Sequence, residues 1–289
     1  MTLSLHDLER RLQGLSDAQP FQASWAVMDL RTGATAARHS DVRVPAASTR
    51  KVAILMTSLR LVAAGRLDLE QRIVIEARHQ HNDSGCVRFL RPNLALTLFD
   101  ALTLMIVVSD NSCTAAIMEI IGLEALNRFS NDAGMTRTRH VASAPARSLL
   151  NDATPDDLSM VNSTSAADMC RLLAAIVAGT GDQSAAAALG CTPPLCRLAL
   201  DIMAGQQLRS GLPRLLPTGT RIAHKTGAGP SNEGDVGIVY RGDAPLFVLC
   251  VYTHHIPVTL EDGRPGRALA RDHIGEIALA CWRELVAGG

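Results

Sequence analysis

The sequence predicts a mixed α/β (α+β) fold with two lobes, and three observations lead there. A helix and two strands open the chain, a long helical block fills the middle, and three strands and a helix close it. The two sets of strands lie far apart yet share a β-branched, Gly-punctuated composition, as expected of one antiparallel sheet built from both chain ends. With 47% hydrophobic and 19% charged residues in 289, the chain also has the apolar content to bury a large core, which excludes disorder as its main state.

The elements follow in order. Leu3, Leu5, Leu8 and Leu12 fall at helical spacing with charges between them, an amphipathic first helix. Ser24-Trp-Ala-Val-Met-Asp-Leu reads as a strand, Arg31-Thr32-Gly33 as a hairpin turn, and residues 34–39 as the partner strand. From Pro45 to Gly205 the signals are helical. Val52, Leu55, Met56 and Leu59 form one apolar face that stops near Gly65. Residues 98–108 and 115–121 carry two more, and Met169, Leu172, Leu173 and Ile176 a fourth, ended at Gly179. Residues 220–223, 236–240 and 246–253 are short β-rich runs, and residues 267–286 form a closing helix rich in Ala and Leu. The expected layout is therefore an α/β lobe from residues 1–44 with 206–289, flanked by the terminal helices. An all-helical lobe from residues 45–205 would be inserted, with an active site in the cleft between them. Residues 142–162 show no clear period, and a loop of that length is usually functional.

Composition excludes several functions. Lys plus Arg and Asp plus Glu are 28 each, so no basic excess marks a nucleic-acid binder. The most apolar stretch runs only nine residues between Asp100 and Asp110, too short to span a membrane. The chain opens without a secretory-type apolar run, giving the expectation of a cytoplasmic protein. Seven irregularly spaced cysteines fit free thiols, and His79, His81 and Cys86 lack a second ligand pair, so no metal and no cofactor is expected. A small-molecule substrate is the expected partner. Oligomeric state is not encoded in these patterns.

Three motifs carry the chemistry. Ser48-Thr49-Arg50-Lys51 precedes an apolar helix, and residues at i and i+3 share a face, so the Ser48 hydroxyl and the Lys51 amine meet at the helix start. The Ser48 N–H lies at the positive end of that helix, where an oxyanion is favoured. Ser109-Asp110-Asn111 ends an apolar helix. Lys225-Thr226-Gly227 ends a predicted strand, with Ala228-Gly229 behind it. Each motif is weak by itself. Together, in this order, S-x-x-K, S-D-N and K-T-G form one signature. Moreover, Lys51 and Lys225 are the only lysines in a chain of 26 arginines. A guanidinium cannot replace an amine that must lose its proton.

On these residues the chain resembles the serine β-lactamase and penicillin-binding protein superfamily, class A β-lactamases most of all. The resemblance runs nearly the whole length. It takes in Asp29-Leu-Arg-Thr-Gly33, Val44-Pro-Ala-Ala-Ser48, Asn162-Ser-Thr-Ser-Ala-Ala-Asp168, Leu216-Pro217 and Lys225-Thr-Gly-Ala-Gly229. It implies that Ser48 is the nucleophile that opens an amide and becomes acylated, with Lys51 its base. Burial and the nearby Lys225 ammonium should lower the Lys51 pKa toward neutrality. Ser109 would pass the proton to the leaving nitrogen, with Lys225 holding its hydroxyl. Ser48 and Ala228 N–H groups would form the oxyanion hole. Asn111 and Thr226 would bind substrate, and Gly227 would allow its close approach.

The resemblance breaks in three places. Where class A enzymes carry E-x-x-L-N, whose Glu activates the deacylating water, the best match is Arg147-Ser-Leu-Leu-Asn151, leaving Asp152, Asp156 and Asp157 as the nearby carboxylates. After Gly229, where an Arg would bind the β-lactam carboxylate, stand Glu233 and Asp235, giving the expectation of an acidic rim suited to a neutral or cationic substrate. The third is the apparent lack of a signal peptide. The resulting expectation is a serine amide hydrolase acting on a β-lactam or another amide. The alternatives are an acyltransferase through the same acyl-serine, or a receptor that is acylated without turnover. His224 is expected to pack beside the site, and His254-His255 to face solvent at a strand end.

Overall fold

A computed structural model describes residues 5–81, 83–142 and 158–287. The chain begins with α1 (Leu5–Asp17), then β1 (Gln22–Asp29), β2 (Thr35–Arg38) and β3 (Val44–Pro45). A 3₁₀ turn over Ala47–Arg50 runs into α2 (Lys51–Ala63), followed by β4 (Arg72–Ile75) and β5 (Leu94–Thr97). Next come α3 (Leu98–Val107), α4 (Asn111–Ile121), α5 (Leu123–Asp132), β6 (Ser163–Thr164), α6 (Ala166–Gly179), α7 (Gln183–Ala188) and α8 (Pro193–Ala204). The hairpin strands β7 (Ile222–Ala228) and β8 (Asn232–Arg241), then β9 (Ala244–His254) and α9 (Gly266–Ala287), complete the fold.

The expected sheet forms. Its order is β2-β1-β9-β8-β7, antiparallel throughout, so strands from the two chain ends meet at the β1–β9 pair, Trp25 opposite Val251. Alternation then sorts side chains onto two faces. One face carries Ala26, Ala223, Val236, Ile238 and Cys250 into a core shared with α2, α3, α4, α6 and α8. The other carries Trp25, Val27, Ile222, Phe247 and Leu249 against α1 and α9.

Two sequence expectations need correction. The block from 45 to 205 is not all helical, because β4 pairs with β5 and β3 with β6. The signal was present at Ile73 and Ile75, which are buried while their neighbours are exposed. That is a period of two inside a stretch otherwise read for a period of 3.6. The Lys-Thr-Gly strand is also longer than residues 220–223 suggested, so these motif residues lie within β7 and not beyond its end. Among the described residues, no helix is long and apolar enough to cross a membrane.

Candidate active site

Ser48 is half-buried in the 3₁₀ turn that opens α2, directly after Ala47, which is held at φ 44°. A non-glycine residue there costs about 1 kcal/mol or more, so the turn is imposed by its surroundings. Three contacts impose it. Ala46 N–H donates to Asn162 O at 2.8 Å, and the Thr49 hydroxyl sits 2.6 Å from Ala46 O and 2.9 Å from the buried Tyr252 hydroxyl. Three residues on, Lys51 begins α2 and is buried.

The second motif comes to Lys51 through a tight junction. Helix α3 ends at Val107, and Ser109 takes the left-handed conformation, φ 57°, that usually selects glycine. Asp110 then caps α4, its Oδ1 accepting from Ser112 and Cys113 N–H and its Oδ2 from Val87 N–H. Gly85, at φ 94°, leaves the space that carboxylate fills, since a Cβ there would stand 2.2 Å from Asp110 Oδ2. The outcome is a fixed set of acceptors for one amine. Lys51 Nζ lies within hydrogen-bond reach of Ser109 O at 2.7 Å, of Asn111 Oδ1 at 2.7 Å and of Ser109 Oγ at 3.1 Å.

The third motif arrives on the edge strand. Gly229 N–H donates to Asn232 O and Tyr240 N–H to Arg221 O, so odd-numbered residues of β7 carry the ladder to β8. Thr226 and Ala228 therefore turn their N–H and C=O groups to the free edge. Gly227 brings that edge against Ser48: a Cβ on it would stand 3.0 Å from both Ser48 N and Thr49 N. The free Ala228 N–H and the Ser48 backbone are thus brought to the same place.

Lys225 is fully buried, and its Nζ donates to Thr226 O at 2.8 Å. The expected hydrogen bond from Lys225 to the Ser109 hydroxyl is not made; Ser109 Oγ is held by Lys51 instead. Burial depresses Lys225 to about 7, opposed by the charge of Asp235. Lys51 is pushed well below the usual lysine range, by burial first and then by repulsion from Lys225 and Arg50. Arg50, overlooked in the sequence, is itself buried, with its guanidinium on Ala142 O at 2.6 Å. Three buried cations in this small volume favour a neutral Lys51 amine.

The residues after Gly229 overturn the expected acidic rim. Register places Asp235 opposite Thr226 and Glu233 opposite Ala228, on the α9 face of the sheet, and both carboxylates are buried. Asp235 holds His224 Nδ1 at 3.0 Å and accepts Leu212 N–H at 2.8 Å. Glu233 lies between Arg267 and Arg271 of α9, at 3.0 and 3.1 Å. Counting sequence charges showed two acids at a rim; the partners of Glu233 come from a helix more than thirty residues downstream, and those of Asp235 are His224 on β7 and the Leu212 backbone before it. His254, expected to face solvent, is buried as well, while His255 is exposed. Six of the seven free cysteines are buried and Cys86 is exposed. Residues 143–157, with Arg147, Asn151, Asp152, Asp156 and Asp157, lie outside the described residues.

This arrangement can do acyl chemistry. It offers a hydroxyl at a helix start, an amine poised to be neutral, and a second hydroxyl bound to that amine. Two backbone N–H groups lie where a carbonyl oxygen would gain charge. A family model, the beta-lactamase enzyme family, matches residues 7–285. Solved structures share the fold. A beta-lactamase from Sphaerobacter thermophilus DSM 20745 superposes with a TM-score of 0.82 at 24% identity over 99% of each chain. PBP-A superposes at 0.80 with 25% identity, over 98% of this chain and 97% of that one. A mutant of PBP-A, an acyl-enzyme complex with penicillin G, superposes at 0.80 with 24% identity, over 99% of this chain and 98% of that one. Among curated proteins, no match is found.

Proposed function

The chain belongs to the beta-lactamase enzyme family, and from that premise we propose that it is a serine amide hydrolase working through an acyl-Ser48 intermediate. The observation that carries the reading is the Lys51 amine, buried, bound to both Ser109 and Asn111, and one helical turn from the Ser48 hydroxyl. The neutral amine takes the Ser48 proton as Oγ attacks the carbonyl carbon of the amide. The oxyanion forms between the Ser48 and Ala228 N–H groups. As the C–N bond breaks, the proton on Lys51 passes through the Ser109 hydroxyl to the leaving nitrogen. Lys225, where it holds its proton below about pH 7, supplies positive potential to the site. Because Asn111 Oδ1 is taken by Lys51, its NH₂ group is the part that meets substrate, beside Thr226 and the close-approach residue Gly227. The α/β lobe and the helical lobe would close on that substrate from either side.

A second reading is favoured by one observation. Among the described residues the carboxylates nearest the motifs are all engaged elsewhere: Asp110 caps α4, Asp235 holds His224, and Glu233 holds two arginines. None is placed to activate water at the acyl ester. Slow deacylation would give an acylated, penicillin-binding protein or leave the ester to an amine or alcohol acceptor. The mutant of PBP-A is an acyl-enzyme complex with penicillin G on this fold.

Intact-protein mass spectrometry with penicillin G, run over time beside Ser48→Ala, separates the outcomes. An adduct that appears and clears as penicilloic acid accumulates supports hydrolysis of β-lactams. A persistent adduct supports the second reading. An adduct that survives Ser48→Ala would refute the nucleophile assignment, and no adduct at all would refute β-lactam acylation.

A further inference from the structure

We infer that Arg267, far from the motifs on α9, is a positioning residue that fixes the Ala228 N–H in the oxyanion hole. The inference rests on the acyl-Ser48 reading above. Its starting point is a weakness of the edge strand. Ala228 faces Glu233 in a pair without ladder hydrogen bonds, and β7 has no neighbour beyond it. The position of its N–H therefore depends on the residues to either side.

On one side Gly227 is packed against the Ser48 and Thr49 backbone. On the other, Gly229 closes the hairpin, and only half of the closing pair forms. Gly229 N–H donates to Asn232 O at 2.9 Å, whereas Gly229 O accepts from Arg267 Nη2 at 2.5 Å. The same nitrogen reaches Pro230 O at 3.3 Å. The other terminal nitrogen, Nη1, is 3.0 Å from Glu233, the residue directly across from Ala228. One planar guanidinium thus ties both strands of the hairpin tip to α9.

The arrangement is costly in ways that suggest selection for geometry. Arg267 places a cation in the first turn of a helix, against the dipole. Glu233 is a buried carboxylate that needs partners to stay charged. Arg271, one turn on from Arg267, shares Glu233 but donates to neither Gly229 nor Pro230 among the described hydrogen bonds. That difference makes it the internal control.

The test uses the full chain with Arg267→Met, Arg267→Lys and Arg271→Met. Two probes are read: acylation by penicillin G, split into limiting rate and half-saturating concentration, and binding of phenylboronic acid. The boronate forms a tetrahedral adduct on the Ser48 oxygen and sets one of its own oxygens in the hole. Loss of a whole oxyanion donor costs ~100-fold or more, so displacing one through Arg267→Met should lower the limiting rate roughly ten-fold. It should weaken the boronate by a similar factor while half-saturation stays within about two-fold. Arg267→Lys, able to reach one carbonyl but not both strands, should recover part of both losses. Arg271→Met should change each by less than about three-fold.

An unchanged limiting rate and boronate affinity in Arg267→Met would overturn the inference. So would a rise in half-saturation alone, which would make Arg267 a substrate contact. Equal losses in Arg271→Met would also overturn it, since the effect would then be the Glu233 pair and not the hairpin tip. A wild-type protein that takes neither probe on Ser48 overturns the acyl-serine reading itself, and is recognised by that before any variant is compared.

Discussion

Lys225 offers a measurable consequence of burying an amine. In the unfolded chain it titrates near 10.5, and in the folded protein burial lowers it to about 7. Between those values the unfolded state holds the proton and the folded state has begun to lose it. Stability therefore rises with pH across the window from about 7 to 10.5, most steeply by ~1.4 kcal/mol per pH unit. Integrating the two titrations, the buried amine costs about 4 kcal/mol at pH 7 and about 2 kcal/mol at pH 9. The perturbation is Lys225→Met, which keeps the bulk of the stem and removes the titration. It is best made on a Lys51→Met background, so that the second amine cannot titrate in the same range. Burial is what depresses Lys225, with only Asp235 opposing, so removing Lys51 leaves the expected value in place. Urea unfolding at pH 7, 8 and 9 gives the difference in stability between double and single variant. Loss of the hydrogen bond to Thr226 O adds an offset of about 1 kcal/mol that does not vary over this range. The advantage of the double variant should shrink by about 2 kcal/mol from pH 7 to pH 9. A difference that stays flat would show that Lys225 keeps its ordinary lysine behaviour in the fold, and the account of burial depressing this amine would fail.

Lys51→Arg preserves charge and removes the ability to deprotonate, so acylation by penicillin should fall by ~100-fold or more in a stopped-flow burst, with folding retained by circular dichroism. Ser109 sits at φ 57°, which reverses the usual order of two substitutions. Ser109→Gly should be more stable than Ser109→Ala by about 1 kcal/mol in thermal melts, while both lose the hydroxyl and slow acylation alike. Gly227→Ala places a Cβ 3.0 Å from two backbone nitrogens that cannot rotate away. It should cost ~1–3 kcal/mol in stability and a larger share of the acylation rate than of substrate affinity, measured by denaturant titration and burst kinetics.

Much of the fold could be read from local pattern because the causes are local. The spacing of Val52, Leu55, Met56 and Leu59 reports a buried helix face, and Gly65, at φ 67°, follows the end of that helix where expected. Three motifs in order, with the only two lysines inside them, named residues that the fold brings together. The short strands β4 and β5 were missed because four residues carry too little periodicity to stand out within a helical block.

What the sequence could not decide was the fate of each charge. Asp235 and Glu233 look the same as any acids in a hairpin, yet one is sealed beneath Leu212 and the other between two arginines of α9. Arg50 looks like a surface cation and is buried beside the Lys51 amine. The sign of a rim and the protonation of an amine are sums over neighbours brought together by packing, often from dozens of residues away. The amino-acid order determined which groups could react here. Tertiary structure decided their charge, because the energy of a charge depends on its burial and on the partners within a few ångströms.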